Sequence, residues 1–147
     1  MAKEAEKGRA ATFSIRGVQR DASGDENVVE LITEGDVIFC DDCVLLRYEE
    51  SEISGMEGSS TSIELRKNSV SMVRTGDTSV TMHFEKGKQY FSQYQTPYGA
   101  MSISVFGNEV YHNVNARGGK VRLDYLIDMD GMQSFENSFS VDVKVKQ

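Results

Sequence analysis

Apolar and polar residues alternate with a period of two along almost the whole chain, and turn dipeptides recur about every ten residues. No segment repeats apolar residues at spacings of three and four over the length that a helix needs. Because successive side chains of a strand point to opposite faces, this alternation indicates strands with one buried face. The pattern therefore predicts an all-β domain of many short antiparallel strands.

The phase of the alternation across each turn predicts which side chains face the interior. Residues directly opposite each other in an antiparallel hairpin share a face, so the turn length decides whether two apolar faces coincide. The turn at Asp41-Asp42 keeps Val44, Leu46 and Tyr48 in phase with the preceding strand. A Lys67-Asn68 turn likewise places Arg74 inward, at the end of an apolar row. An arginine is therefore predicted inside the domain.

The stretch over residues 89–101 is ambiguous by itself, because neither face of its first strand is purely apolar. A two-residue turn before it would direct Phe91 inward, whereas a three-residue turn would direct Tyr90 and Tyr94 inward. The turn around Pro97 decides between them, since it sets the two tyrosines beside a clearly apolar row. We therefore predict that the tyrosines point in and that Phe91 points out.

Two further turns complete the expected strand pattern. A turn at Gly107-Asn108 is predicted to end one strand and to begin the next. A two-residue turn at Asp130-Gly131 would put the following strand out of phase, whereas one extra residue pairs Ile127 with Phe135. We therefore predict a bulge near Met132.

A continuous meander without covering helices avoids exposed edges most simply by closing into a barrel, although a two-sheet sandwich stays open as an alternative. We expect a single domain over residues 10–147 with about 8–11 strands, enough to leave room for a small ligand. Residues 1–9 are expected to form a disordered lead. The long loop over residues 49–60 is either a mobile lid over one mouth or a solvated acidic loop.

Composition narrows the classes of partner. The 147 residues suffice for one domain with a real core, and the net charge is −7 with the acidic residues spread along the chain. Nucleic acids and anionic membranes require clustered Lys and Arg, so neither is expected as a partner. No apolar run approaches the ~20 residues of a membrane span, and the first residues lack the apolar core of a signal peptide. A cytoplasmic location is expected.

Several short motifs occur in a characteristic order between about residues 13 and 143. They are Tyr48-Glu49-Glu50, Thr61 before an alternating strand, Val70-Ser71-Met72-Val73-Arg74-Thr75-Gly76, Phe84-Glu85-Lys86-Gly87 and Tyr94-Gln95-Thr96-Pro97-Tyr98-Gly99-Ala100-Met101. Their order and spacing resemble the YwiB-like family, small bacterial proteins assigned to a domain-of-unknown-function family. The resemblance implies a cytosolic barrel of the calycin (lipocalin-like) type with no established activity, so it supplies no catalytic residues.

Catalytic, metal and cofactor sites have little support in the sequence. Cys40 and Cys43 are the only cysteines, and no second cysteine pair or His-x-His completes a zinc site. They are interpreted as small apolar residues flanking a hairpin turn, with reversible disulfide formation as the alternative. No nucleophile elbow occurs, and the run over residues 128–131 lacks the spaced ligands of a calcium loop. We therefore predict no catalytic residues, no metal and no cofactor.

More polar side chains are predicted to face the interior than a dry core would hold. A buried polar group costs a few kcal/mol unless it is hydrogen-bonded, and an unpaired charge costs more. Arg74 therefore either pairs with a carboxylate, for which Glu49 and Glu50 are candidates, or awaits an anionic ligand. The candidate ligand-binding residues are Tyr48, Arg74, Tyr90, Tyr94, His112, Tyr125 and Asn137.

The leading hypothesis is a barrel that binds a small amphipathic or anionic molecule in its lumen. The alternative is a structural or protein-interaction module, including a weak homodimer. The apolar residues predicted on the outer face, Val28, Ile32 and Val73, favour this alternative. An enzyme comes third, since it would need His112 and Arg74 close together in an open cavity. His83 is predicted to face outward into solvent.

Overall fold

A computed structural model describes residues 8–51, 53–54 and 57–147 of the chain, and all regular structure in this part is β. No helix capable of crossing a membrane occurs among these residues. The strands are β1 (Arg9–Arg20), β2 (Glu26–Phe39), β3 (Val44–Glu49), β4 (Ser59–Arg66), β5 (Ser69–Gly76), β6 (Val80–Phe84), β7 (Gln89–Thr96), β8 (Gly99–His112), β9 (Gly118–Met129) and β10 (Gln133–Val145).

The ten strands form one antiparallel sheet in the order β6-β5-β4-β3-β2-β1-β10-β9-β8-β7. Strands adjacent in sequence are paired except β6 and β7, and β1 also pairs with β10. The free edges β6 and β7 approach each other and close the sheet into a nearly complete barrel. The predicted all-β antiparallel barrel is thus confirmed.

We call the gap between β6 and β7 the seam. One antiparallel bridge joins Ser79 to Gln95 at one end of it, and Lys86 bridges to Gly107 at the other. Ser79 and Gln95 exchange both backbone hydrogen bonds, at 2.9 and 2.7 Å. Backbone N–H groups alternate sides along a strand, so the N–H of His83 points into the seam, as that of Ser79 does. In the described sheet, no β6–β7 ladder accepts a hydrogen bond from it.

Most of the predicted register is present. Tyr90 opposes Val105 and Tyr94 opposes Met101, while the side chain of Phe91 lies outside and is 78% exposed. Three residues connect β9 to β10, and the resulting pairing of Ile127 with Phe135 is the predicted one. The predicted register of β7 against β8 is therefore confirmed, and Tyr94 lines the interior cavity as predicted, whereas Tyr90 does not.

The turn predicted at Gly107-Asn108 is wrong, because β8 runs through this position with a bulge between Gly107 and Glu109. The glycine serves close packing: a Cβ there would lie 2.9 Å from the carbonyl oxygen of Glu85. Its N–H also donates to the carbonyl of Lys88 at 3.2 Å. A glycine at this point thus lets β8 pack closely against the end of the seam, and the described residues form ten strands.

The barrel interior divides into two halves. Large side chains that are at most 1% exposed fill one half, which we call the packed end; they include Phe13, Leu46, Leu65, Phe84 and Leu123. Gly35 makes room for this core, since a Cβ there would lie 2.5 Å from the ring of Phe13 and 2.2 Å from the carbonyl oxygen of Arg47. The other half contains a cavity, and we call it the cavity end.

Two predictions concern segments only partly covered by the structure. The disordered lead predicted over residues 1–9 falls mainly on residues 1–7, which lie outside the described residues, whereas Arg9 already begins β1. The predicted lid corresponds to the connection between β3 and β4, of which residues 52, 55 and 56 lie outside the described part. Neither a lid nor a lead is assigned.

Candidate functional site

A cavity of about 330 Å³ occupies the cavity end of the barrel. Apolar side chains from strands around the barrel form much of its wall, including Ile15, Leu31, Met72, Met82, Ile103 and Met129. Exposed Asn27 and Ser138 at its rim show that it opens to solvent at this end. The volume lies near the lower limit of about 300–1,000 Å³ for small-molecule sites.

Five of the seven predicted ligand-binding residues line this cavity, namely Tyr48, Arg74, Tyr94, Tyr125 and Asn137. They come from five strands that are not all neighbours, and the inward phase of each strand brings them together. Asn137 is also tied to its own strand, because its Nδ2 donates to the carbonyl of Phe135 at 3.2 Å. The predicted convergence of polar groups is thus present at one end of the barrel.

The charge of Arg74 is paired inside the barrel by Glu50. The two side chains are 10% and 2% exposed, and Nε of Arg74 lies 3.7 Å from Oε2 of Glu50. Thr61 links them, since its hydroxyl donates to Glu50 and accepts from Nε of Arg74 at 3.3 Å. Of the two carboxylates proposed from the sequence, Glu49 instead faces outward and accepts from the hydroxyl of Ser60 at 2.9 Å.

The local fold positions this cluster. Tyr48, Thr61 and Arg74 are cross-strand partners on one inward row across β3, β4 and β5. Glu50 follows β3 directly, and its N–H donates to the carbonyl of Ser59 at 2.8 Å. This bond continues the β3–β4 ladder by one step and fixes the backbone from which the carboxylate reaches Arg74.

The tyrosine hydroxyls supply neutral hydrogen-bonding groups. Within the described part of the chain, no hydrogen bond is made by the hydroxyls of Tyr94 and Tyr125, and no fully buried side-chain nitrogen or oxygen lacks a partner. Both hydroxyls must therefore be accessible, and both residues line the cavity. Burial raises the pKa of Tyr125 to about 12, and burial together with nearby Glu50 raises the pKa of Tyr48 as well. Tyr48 and Tyr125 therefore remain neutral hydrogen-bond donors at physiological pH.

Tyr90 lies in the seam rather than in the cavity. Its hydroxyl donates to Oε1 of Glu85 at 2.9 Å, and this bond raises the pKa of Tyr90. Its ring meets the ring of His83 edge-on with 4.5 Å between centroids. His83 faces outward as predicted, but it is half-buried because it packs in the seam, with Nδ1 2.7 Å from the hydroxyl of Ser71. These side chains hold the two edges together where ladder bonds are absent.

His112 lies at the packed end. Its Nε2 donates to the carbonyl of Arg66 at 2.5 Å. Arg66 opposes Ser69 at the start of β5, and the five residue-to-residue steps from Ser69 to Arg74 span about 17 Å of strand. The proximity of His112 and Arg74 that an enzyme was expected to need is therefore absent.

The role of Thr61 was missed from the sequence. In the sequence it stood out only as the residue before an alternating strand. The available signal was a hydroxyl directly opposite an inward arginine, since such a hydroxyl can both donate to a carboxylate and accept from a guanidinium.

No group of three or more potential metal ligands occurs among the described residues. Cys40 and Cys43 flank the hairpin turn as predicted, with the N–H of Cys40 donating to the carbonyl of Cys43 at 2.9 Å. The arrangement accordingly offers a binding cavity with one neutralised charge pair and free hydroxyls.

Comparisons with known proteins agree with this fold. The crystal structure of the ywiB protein from Bacillus subtilis matches with a TM-score of 0.87 and 17% sequence identity, covering 100% of this chain and 99% of that chain. At this identity the likeness shows the fold alone. No match was found among curated proteins. Residues 13–141 match the family described as a domain of unknown function (DUF1934), and the protein therefore belongs to that family.

Proposed function

We propose that the barrel binds a small amphipathic molecule in the cavity. The observation that carries the proposal is a cavity of about 330 Å³ with an apolar wall and a few convergent polar groups at one end. Ligand sites typically combine these two features, because apolar contact supplies affinity and a few hydrogen bonds fix orientation. Met72, Met82 and Met129 in the wall suit ligands of varied shape, since methionine side chains adapt readily.

The same proposal includes a cytoplasmic location and excludes nucleic acid and membrane as main partners. Its support is the net charge of −7, which opposes binding to polyanions. A protein-interaction role has weaker support. Val28 and Ile32 on β2 are 42% and 74% exposed, but Val73 lies on β5 and is half-buried, so the three do not form one patch.

The proposal can be tested with a neutral dye and a variant that fills the cavity. Gly17 lines the cavity, and no atom lies within 4 Å of a Cβ built there. We expect N-phenyl-1-naphthylamine to gain fluorescence on binding the wild type and Gly17→Ala, and Gly17→Leu to bind it about tenfold more weakly or worse. Native mass spectrometry of protein from the source cell then identifies any retained molecule. Absence of dye binding, or equal binding by all three proteins, would refute the proposal.

A further inference from the structure

We infer that the cavity selects uncharged amphiphiles over carboxylates, and that Glu50 is the residue that determines this selectivity. The inference rests on the proposed function and specifies the class of ligand. An inward arginine by itself would favour an anionic ligand, as the sequence suggested. The structure adds a second charge that reverses this expectation.

The charges that line the cavity balance each other. Arg74 and Glu50 are the only charged side chains among the described residues that line the cavity. Their formal charges cancel, and at 10% and 2% side-chain exposure neither is well solvated. A bound carboxylate would therefore place two negative charges against one guanidinium in a poorly hydrated space, where like charges repel strongly.

The carboxylate of Glu50 is held in place. It accepts a hydrogen bond from the hydroxyl of Thr61 and lies beside Arg74. The backbone N–H of Glu50 donates to the carbonyl of Ser59 at 2.8 Å. A ligand carboxylate that displaced it would leave a buried charge without its partners, which is strongly unfavourable. The site is thus already occupied by a carboxylate from the chain itself.

The cavity still offers uncharged hydrogen-bonding groups to a ligand. Tyr94 and Tyr125 line it, and their hydroxyls have no hydrogen-bond partner in the described part of the chain. Neutral hydroxyls are good partners for the alcohol, ester or amide group of an uncharged amphiphile. Selectivity therefore follows from the repulsion of carboxylates by Glu50 together with the attraction of uncharged polar groups by the tyrosine hydroxyls.

The test compares decanoate with 1-decanol, which share a chain length and differ in charge. Displacement of N-phenyl-1-naphthylamine at pH 8 measures both affinities. We expect the wild type to bind 1-decanol about tenfold or more tightly than decanoate. In Glu50→Gln, which keeps the shape and a hydrogen-bond acceptor, the affinity for decanoate should rise about tenfold while that for 1-decanol changes little.

Glu49→Gln is the matched control, because it removes the same charge from a neighbouring carboxylate on the outer face. The wild-type comparison needs no variant, so it remains decisive even if Glu50→Gln folds poorly. Decanoate binding as tightly as 1-decanol to the wild type, or an equal gain in Glu49→Gln, would overturn the inference while leaving the proposed function intact. Failure of both alcohol and dye to bind would overturn the proposed function and the inference with it.

Discussion

Replacing Gly17 by leucine is expected to stabilise the protein, which is unusual for a large side chain inserted into a barrel interior. Gly17 lies between Val29 on β2 and Phe139 on β10, and both of these residues line the cavity. Its backbone is not in the left-handed region that favours glycine, so leucine introduces no strain there. Inserting methylenes into a well-packed core costs about 1–3 kcal/mol, but here a built Cβ meets no atom within 4 Å.

The magnitude follows from two contributions. Full burial of a leucine side chain contributes about 1.5–3 kcal/mol, and removing a glycine from a strand contributes about 0.5–1 kcal/mol. Because the cavity opens to solvent, leucine will be only partly buried, and we expect a net gain of about 1–2 kcal/mol.

Urea unfolding followed by circular dichroism measures this change, with Gly17→Ala as the control for the backbone contribution. Alanine should gain only about 0.5–1 kcal/mol, so the difference between the two variants reports the filling of the cavity. If Gly17→Leu is less stable than Gly17→Ala by about 1 kcal/mol or more, the space is not available and the cavity is not as described.

Three further predictions concern the cluster, the tyrosines and the seam. Arg74→Met leaves Glu50 buried without its cation and should lower the free energy of unfolding by about 3–5 kcal/mol. The double variant Glu50→Gln, Arg74→Met should recover most of this loss. If urea unfolding shows that the losses of the two single variants add in the double variant, the pairing is contradicted. The pKa of Tyr125, about 12 in the folded state and near 10 when unfolded, makes the folded state bind the proton more tightly. The contribution of Tyr125 to stability is thus complete below pH 10, and about 2–3 kcal/mol is lost as the pH rises toward 12. Tyr125→Phe should flatten this alkaline decline of the free energy of unfolding, measured in urea. An unchanged dependence of that free energy on pH would contradict the raised pKa of Tyr125. Amide exchange measured by NMR should be about tenfold or more faster at His83 than at Met82, because only the N–H of Met82 points toward β5; equal rates would mean that the seam is hydrogen-bonded in solution.

The phase of the alternation predicted most inward-facing residues because an error at one turn of a meander affects every strand after it. A turn of the wrong length would turn every following inward residue outward, so the apolar row after Pro97 fixed the strand before it as well. It failed at Gly107, where a glycine has two physical uses. Glycine followed by asparagine is typical of a turn, but here the missing side chain admits the backbone of Glu85. Sequence alone does not distinguish these uses, because the neighbour that approaches lies 22 positions earlier in the chain.

Phase also gives the face of a residue but not its depth along the barrel. Tyr90 and His112 had the inward phase that Tyr94 and Tyr125 had, yet one lies in the seam and the other at the packed end. Depth depends on how far each strand is staggered against its neighbours, and on where the sheet fails to close. The open edge between β6 and β7 leaves no trace in the alternation itself, because both strands keep a regular pattern up to the gap.

The division of the interior explains how a domain of this size can keep a cavity. A sealed, dry cavity of 330 Å³ would cost on the order of 8 kcal/mol at about 24 cal/mol per Å³, which is comparable with the whole stability of a domain. The open rim and its exposed polar residues, Asn27 and Ser138, reduce this cost, because water can enter at the rim and form hydrogen bonds there. Large buried side chains at the packed end, such as Phe13 and Phe84, supply the compensating stability. An amphiphile that replaces the water along the apolar wall while bonding to the tyrosine hydroxyls would gain affinity without any change in the barrel.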